Sequence, residues 1–358
     1  MTTFLQLHML TSYPPACLNR DDLNRPKTAI MGGVPRLRVS SQSLKRAWRT
    51  SEQFEAALKG HMGTRTKLMG VQIYNRMVKA GVKEKDAKEW AQEIAGKFGA
   101  LKSKKDGKPL NDLEIEQLAH FSPEEESAIN ALADKLAADK RKTTEEELNL
   151  LRKEHTAADI ALFGRMLADS PRYNTEAACQ VAHAITVHRA AVEDDYFTAV
   201  DDLNTREVDA GSAHIGEQGF GAGLFYSYVC IDCDLLKESL GSDVELTGKA
   251  IKALVEAAAT VAPTGKQNSF ANRAWAPYVL AEKGCRQPRG LSLAFMKPVN
   301  EYGEGMLTNA VTALDSMRTN LDKVYHQGQS LPSECINALT GTGDFQALLN
   351  FAAGTGGA

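Results

Sequence analysis

Stretches of strand-type alternation, separated by helix-like patterns in a fixed order, restrict the folds open to this chain. In residues 3–10, Leu5, Leu7 and Met9 fall on one side and Phe4, Gln6 and His8 on the other, as in a strand whose two faces meet different surroundings. Alternation returns at 181–188, where Val181, His183, Ile185 and Val187 oppose Ala182, Ala184, Thr186 and His188, and strand character again at 224–232 and 275–282. A helix is predicted from about 42 to 58, capped by Ser40 and Ser41 and burying Leu44, Ala47, Trp48 and Leu58. A second, from about 247 to 261, carries Ile251, Leu254, Val255 and Ala258. Strand, helix, strand, strand, helix, strand is the order of a ferredoxin-like or RNA-recognition-motif-like sheet, an α+β fold. Residues 62–158 have helical periodicity and read as a lobe inserted between the first helix and the second strand, with a lysine-rich turn at 103–109 punctuated by Gly107 and Pro109.

Charge is segregated along the sequence. The net value is −3, yet residues 1–50 hold eight basic side chains (Arg20, Arg25, Lys27, Arg36, Arg38, Lys45, Arg46, Arg49) against Asp21 and Asp22, a local charge of +6 that leaves −9 for the remainder. Residues 110–160 carry thirteen acidic against six basic residues. Such segregation suggests a localised footprint for a polyanion and an acidic surface elsewhere. No run of about 20 apolar residues is present, and MTTFLQLHML lacks the basic start of a secretory signal, so the expected partner is not a membrane and the expected location is the cytoplasm. The six scattered cysteines are expected to be thiols, and the single CxxC at Cys230 and Cys233 supplies at most half of a zinc site.

Familiar catalytic patterns are missing from the sequence. There is no Walker loop, no HExxH and no GxSxG; His183 and His188 read as packed or hydrogen-bonded histidines. The adjacent carboxylates Asp21–Asp22 and Asp201–Asp202 keep a metal-dependent ribonuclease open as an alternative, and a scaffold that binds only protein is another. The segment SSQSLKRAWR at 40–49 is more informative: hydroxyls of Ser40 and Ser41, N–H groups at a helix start, and then Lys45, Arg46 and Arg49 can grip phosphates by two independent means. Lys45 and Arg49, four apart, are expected to share an exposed face. The segment GSAHIGEQGFGAGLFYSYV at 211–229 is glycine-rich and then aromatic, which fits a projecting hairpin or flexible loop, and just before it Tyr196 and Phe197 offer surfaces on which bases can stack.

CLNRDD at 17–22, SSQSLKRAWR at 40–49, DIALFGRM at 159–166, AHAITVH at 182–188, YFTAVDDL at 196–203, GSAHIG at 211–216 and, more faintly, PTGKQNSF at 263–270 together resemble the CasC family, the backbone subunits of type I-E CRISPR Cascade. The resemblance implies an RNA-recognition-motif-like palm (1–60, continued at 161–205 and within 226–358), a helical finger lobe (61–160) and a β-hairpin thumb (206–225). It implies a non-catalytic subunit without cofactor or metal that binds guide RNA, stacks head to tail with further copies, meets other Cascade subunits and presents the guide for pairing with target DNA. The residues it brings to the RNA are Arg20, Lys27, Ser40, Gln42, Lys45, Arg46, Arg49, Lys266 and Gln267 for the backbone. Arg165, Met166 and Phe197 would stand near the bases, and His214, Gln218 and Phe220 on the hairpin.

Overall fold

A computed structural model of the chain describes residues 1–103, 109–167, 169–199, 214–300 and 302–354. They form two compact units: a sheet unit from 1–54, 181–230 and 251–358, and a helical unit from 55–180 and 231–250. Among the described residues no helix is long and apolar enough to cross a membrane. No disulfide joins any of the six cysteines.

In the sheet unit the strands are β1 (Phe4–Ala16), β2 (Thr28–Met31), β3 (Val34–Val39), β4 (Ala184–Thr186), β5 (Glu193–Ala199), β6 (His214–Asp232), β7 (Tyr278–Gly284) and β8 (Ser333–Asn337). The sheet runs β8–β7–β1–β6–β4–β3–β2, with β5 alongside β6. Antiparallel β1 and β7 set Leu7 opposite Ala281 and Met9 opposite Val279. Both faces of β1 are buried, one lined by Leu5, Leu7 and Met9 and the other by Gln6, His8 and Leu10. This is the difference between faces that the alternation predicts, and the polar face is enclosed by a charge network.

That network centres on Glu282 of β7, fully buried, which receives Nη1 of Arg289 at 3.1 Å and Nε of Arg318 at 2.8 Å; Arg289 also meets Asp322 at 2.9 Å. A single direction of donation runs through it: Leu291 N–H donates to the Tyr226 hydroxyl, the hydroxyl to His8 Nδ1, and His8 Nε2–H faces Glu282 at 3.3 Å. His8 is therefore neutral, and burial lowers its pKa despite Glu282. Burial alone would push the Glu282 carboxyl up; the His8 ring beside it and the Arg289 and Arg318 charges outweigh it and hold it at about 2.

Several expectations are revised. The helix predicted over 42–58 is two: α1 (Ser41–Arg49) ends where the Thr50 and Ser51 hydroxyls donate back to the Arg46 and Trp48 carbonyls, and Glu52–Ala57 follows. In the alternating stretch 181–188, Val181 ends the short strand Cys179–Val181 and only Ala184 and Ile185 of β4 pair with β3, while His183 meets the start of α1. Arg36, counted in the basic footprint, is fully buried and donates to the carbonyls of Met31, Thr186 and Phe295. Of the hairpin and the flexible loop expected for the glycine-rich segment, its described part forms a paired strand: β6 runs through 19 residues and pairs with β5 from Phe220↔Glu193 to His214↔Ala199. A C-terminal helix, α2 (Met306–His326), packs Ala310 and Leu314 against a core containing Tyr226, Tyr278 and Phe295.

The helical unit is organised around Ile73, Met77, Trp90, Ile94, Phe121, Ile129 and Leu136, from the helices Met69–Lys79, Glu84–Ala95 and Pro123–Asp139 and a short ladder of Thr64–Thr66 with Ala119–Phe121. Ser122 and Glu125 form a reciprocal cap on the third helix, with Pro123 in its first turn. Glu125 is buried, and its counterion is Arg165, whose guanidinium lies 2.6 Å away and also donates to the carbonyls of His120, Arg152 and Tyr173. Arg165, expected beside RNA, instead holds this unit together, since its side chain is as buried as its partner's. The lysine-rich turn expected at 103–109 falls mainly on residues outside those described.

Candidate nucleic-acid interface

Four of the sequence-predicted contacts of the sheet unit, Arg20, Phe197, Gln218 and Lys266, line one cleft against the loop between β1 and β2. This loop is built by Asp21, whose Oδ1 accepts the N–H groups of Leu23 and Arg25, both at 2.9 Å, while Asp21 N–H donates to the Arg25 carbonyl. The carboxylate considered for a metal is thus engaged in shaping a turn; Asp201 and Asp202 lie outside the described residues, and among those described no three His, Cys, Asp or Glu side chains group as metal ligands. Asn19 Oδ1 accepts the Ser40 N–H at 2.9 Å and ties the loop to the start of α1.

An open polar cleft of about 310 Å³ lies against this loop, lined by Arg20, Asn24, Arg25, Asp194, Phe197, Gln218 and Lys266 among others. Arg25 is occupied by Asp194 at 3.0 Å, and Arg20 Nη1 touches Asn24 Oδ1 at 3.3 Å, so Arg20 and Lys266 are the cations not committed to an acidic partner by those contacts. Glu217 lines the cleft as well and is acidic, as is Asp194. Lys266 is brought here by Gly265: a Cβ on that glycine would lie 2.1 Å from the Leu18 carbonyl oxygen, so only glycine lets this turn press on the chain leading to Arg20. Gln267 begins the short helix Gln267–Phe270, and Phe270 lies near Phe220 of β6, ring centroids 6.2 Å apart.

Phe197 supplies the cleft's aromatic surface. It stands opposite Gly216 in the β5–β6 ladder, and a Cβ there would be 2.4 Å from the ring, so the missing side chain lets the ring lie across the strand. Its side chain is 43% exposed, and neighbouring Tyr196 is exposed too. Gln218 Nε2 is buried with no hydrogen-bond partner. His214 opens β6, but its side-chain role, like residues 200–213, falls outside what is described. Met166, in the helical unit, is 76% exposed.

A second open cleft, about 320 Å³, shares Arg20 and Asn24 with the first and includes Ser43, Thr264 and Gly265. The start of α1 borders it, though not as expected. Ser40 Oγ accepts the Ser43 N–H, and His183 Nδ1 accepts the Ser41 N–H at 3.2 Å, so two of the first three helix N–H groups are taken. Gln42 and Arg46, four apart, are the exposed pair, whereas Lys45 and Arg49 are half-buried, because their direction on the helix lies closer to the buried stripe of Leu44, Ala47 and Trp48. Lys27 is half-buried and close enough for its charge to act on His183.

Arg20, Phe197, Gln218 and Lys266 are therefore gathered at one cleft, with Gln42 and Arg46 on the helix beside Ser43. Sequence reasoning did not single out Asn19, Asn24 or the Arg25–Asp194 pair. Arg25 belongs to the basic run, but no sequence pattern links it to Asp194, 169 positions away.

A sequence model of the Cas family described as CT1975-like protein matches residues 5–348. No curated protein sequence is significantly similar to the chain. Among solved structures, a chain of a "CRISPR RNA-guided surveillance complex, pre-nicking" is 28% identical with a TM-score of 0.82, covering 99% of this chain and 100% of its own. A chain of a "CRISPR RNA-guided surveillance complex", 23% identical with a TM-score of 0.71, has the same coverage and shares the fold.

Proposed function

Since the chain belongs to the Cas family described as CT1975-like protein, we propose that it is the guide-RNA-binding backbone subunit of a CRISPR surveillance complex. The observation that carries this reading is the single cleft where Arg20 and Lys266 offer charge to phosphates and Phe197 offers a face to a base. The likeness to a chain of an RNA-guided surveillance complex over 99% of this chain supports it. On this reading the subunit is of the CasC kind found in type I-E Cascade, binds along crRNA head to tail with further copies and other subunits in the cytoplasm, and leaves the guide's bases to pair with target DNA.

The finer fold assignment follows the same line. The run β7–β1–β6–β4 sets the fourth, first, third and second strands of the predicted order side by side, which supports a ferredoxin-like, RNA-recognition-motif-like palm. The helical unit is then the finger lobe and the β5–β6 ribbon the stem of a thumb. The subunit is proposed to be non-catalytic, a reading favoured by Asp21, whose carboxylate is engaged by backbone N–H groups rather than facing a shared cation site.

Incubating the purified protein with end-labelled RNA, with and without magnesium, tests this. Protection without cleavage is expected. Magnesium-dependent cuts would establish a ribonuclease instead, and the absence of binding a scaffold for protein alone. Mass photometry with guides of increasing length should give stepwise growth; a fixed dimer at every length would refute the filament.

A further inference from the structure

The β3–β4 ladder places Arg38 opposite Ile185 and Val39 opposite Ala184, so His183 comes one step further on, beside Ser40, where the chain turns into α1. Its Nδ1 lies 3.2 Å from the Ser41 N–H and 3.3 Å from Arg38 Nη1. Both neighbours can only donate. Nδ1 must therefore accept, which fixes the ring as neutral with its one hydrogen on Nε2. Partial burial, then the Arg38 and Lys27 charges, lower the His183 pKa, and among the described residues no acidic group opposes them. The ring is exposed, and Nε2–H is directed away from the helix start that Nδ1 faces.

We infer that His183, through Nε2–H, together with Arg38 and Lys27 forms a phosphate-binding point for the RNA backbone, separate from the cleft at Arg20; this rests on the RNA-binding function proposed above. The ring stands where a phosphate would otherwise cap α1, and it passes the helix start's donor character outward by one side chain. The Ser41 N–H and Arg38 polarise Nδ1, which strengthens Nε2–H as a donor. Arg38 is held in place by a bond from its Nε to the Thr28 carbonyl, so one guanidinium both orients the ring and adds charge beside it. A phosphodiester fits this set: two cations supply attraction, and one directed N–H supplies geometry.

Two substitutions separate the ring's nitrogens. H183N keeps an acceptor for the Ser41 N–H but loses the distal donor, and H183Q restores an N–H near the Nε2 position. The expected result is binding of unstructured RNA about tenfold weaker for H183N, the effect of one hydrogen bond to a charged group, with an unchanged melting midpoint and recovery in H183Q. In the wild type, the Nε2 resonance of His183 should move on adding RNA while Nδ1 keeps the shift of an acceptor. Wild-type affinity in H183N, or no recovery in H183Q, would overturn the inference and leave the ring a prop for the helix. If the wild type binds no RNA, the guide-binding reading fails on its own. Titration with inorganic phosphate then decides the anion point: a moving Nε2 resonance upholds it, and a static one overturns it.

Discussion

Replacing Glu282 by Gln should uncover an acid-dependent share of the sheet unit's stability. The side chain keeps its shape, but Arg289, Arg318 and His8 lose the charge they surround. A carboxyl held at about 2 instead of its ordinary 4.5 contributes on the order of 3 kcal/mol at pH 7, which agrees with the ~3–5 kcal/mol for breaking one side of a buried pair. The folded value is the lower one, so this contribution is complete above 4.5 and disappears as the pH falls through about 2. At pH 3.5 roughly 2 kcal/mol of it should remain. His8 acts in the same sense: the folded form resists its protonation, so wild-type stability begins to decline below its ordinary 6.5. Urea unfolding followed through Trp48, buried in the same unit, should show the wild type and E282Q converging between pH 7 and pH 3.5. A constant gap across that range would refute the assignment of the stabilisation to the carboxylate.

Arg20→Ala and Lys266→Ala should each lower the slope of log affinity against log salt for single-stranded RNA by about 0.7; an unaltered slope in filter binding would remove the cleft from the phosphate path. Phe197→Ala should weaken RNA binding by about 1–3 kcal/mol if one base stacks there, and Gly216→Ala, which displaces the ring by its Cβ, should weaken it too; titration with a fluorescent oligonucleotide reads both. Arg165→Met should cost the helical unit ~3–5 kcal/mol by leaving Glu125 unpaired while the folded protein keeps its RNA affinity. A loss of affinity at an unchanged melting midpoint would return Arg165 to the interface.

Local pattern carried much of the fold, and long-range pairing carried the rest. Alternation in β1 and the apolar stripe of α1 are visible because each is decided within ten residues. Arg36 and Arg165 look like surface cations in sequence, and only the carbonyls of Thr186 and Phe295, or the carboxylate of Glu125, reveal that they are internal. The glycines of β6 left a projecting hairpin and a flexible loop both open because glycine is depleted in strands; the ladder with β5 shows Gly216 making room for Phe197. At the site, Arg20, Phe197, Gln218 and Lys266 were legible individually, but their meeting depends on Gly265 contacting Leu18, nearly 250 positions away. His183 was legible as a packed or hydrogen-bonded histidine, although its partner was not.

The continuity of β6 limits how the hairpin can change in length over evolution. One unbroken strand serves both the ribbon, where it pairs with β5, and the sheet, where Tyr226 stands opposite Ile185 and Phe225 opposite Thr186. An insertion of one residue between Phe220 and Leu224 would turn every side chain on the ribbon to the opposite face, or leave a bulge at the junction. Either outcome would move Phe197 and Gln218 relative to Arg20. Insertions and deletions in the arm should therefore be tolerated in pairs, and a longer or shorter β5–β6 ribbon should arise by steps of two residues in each strand.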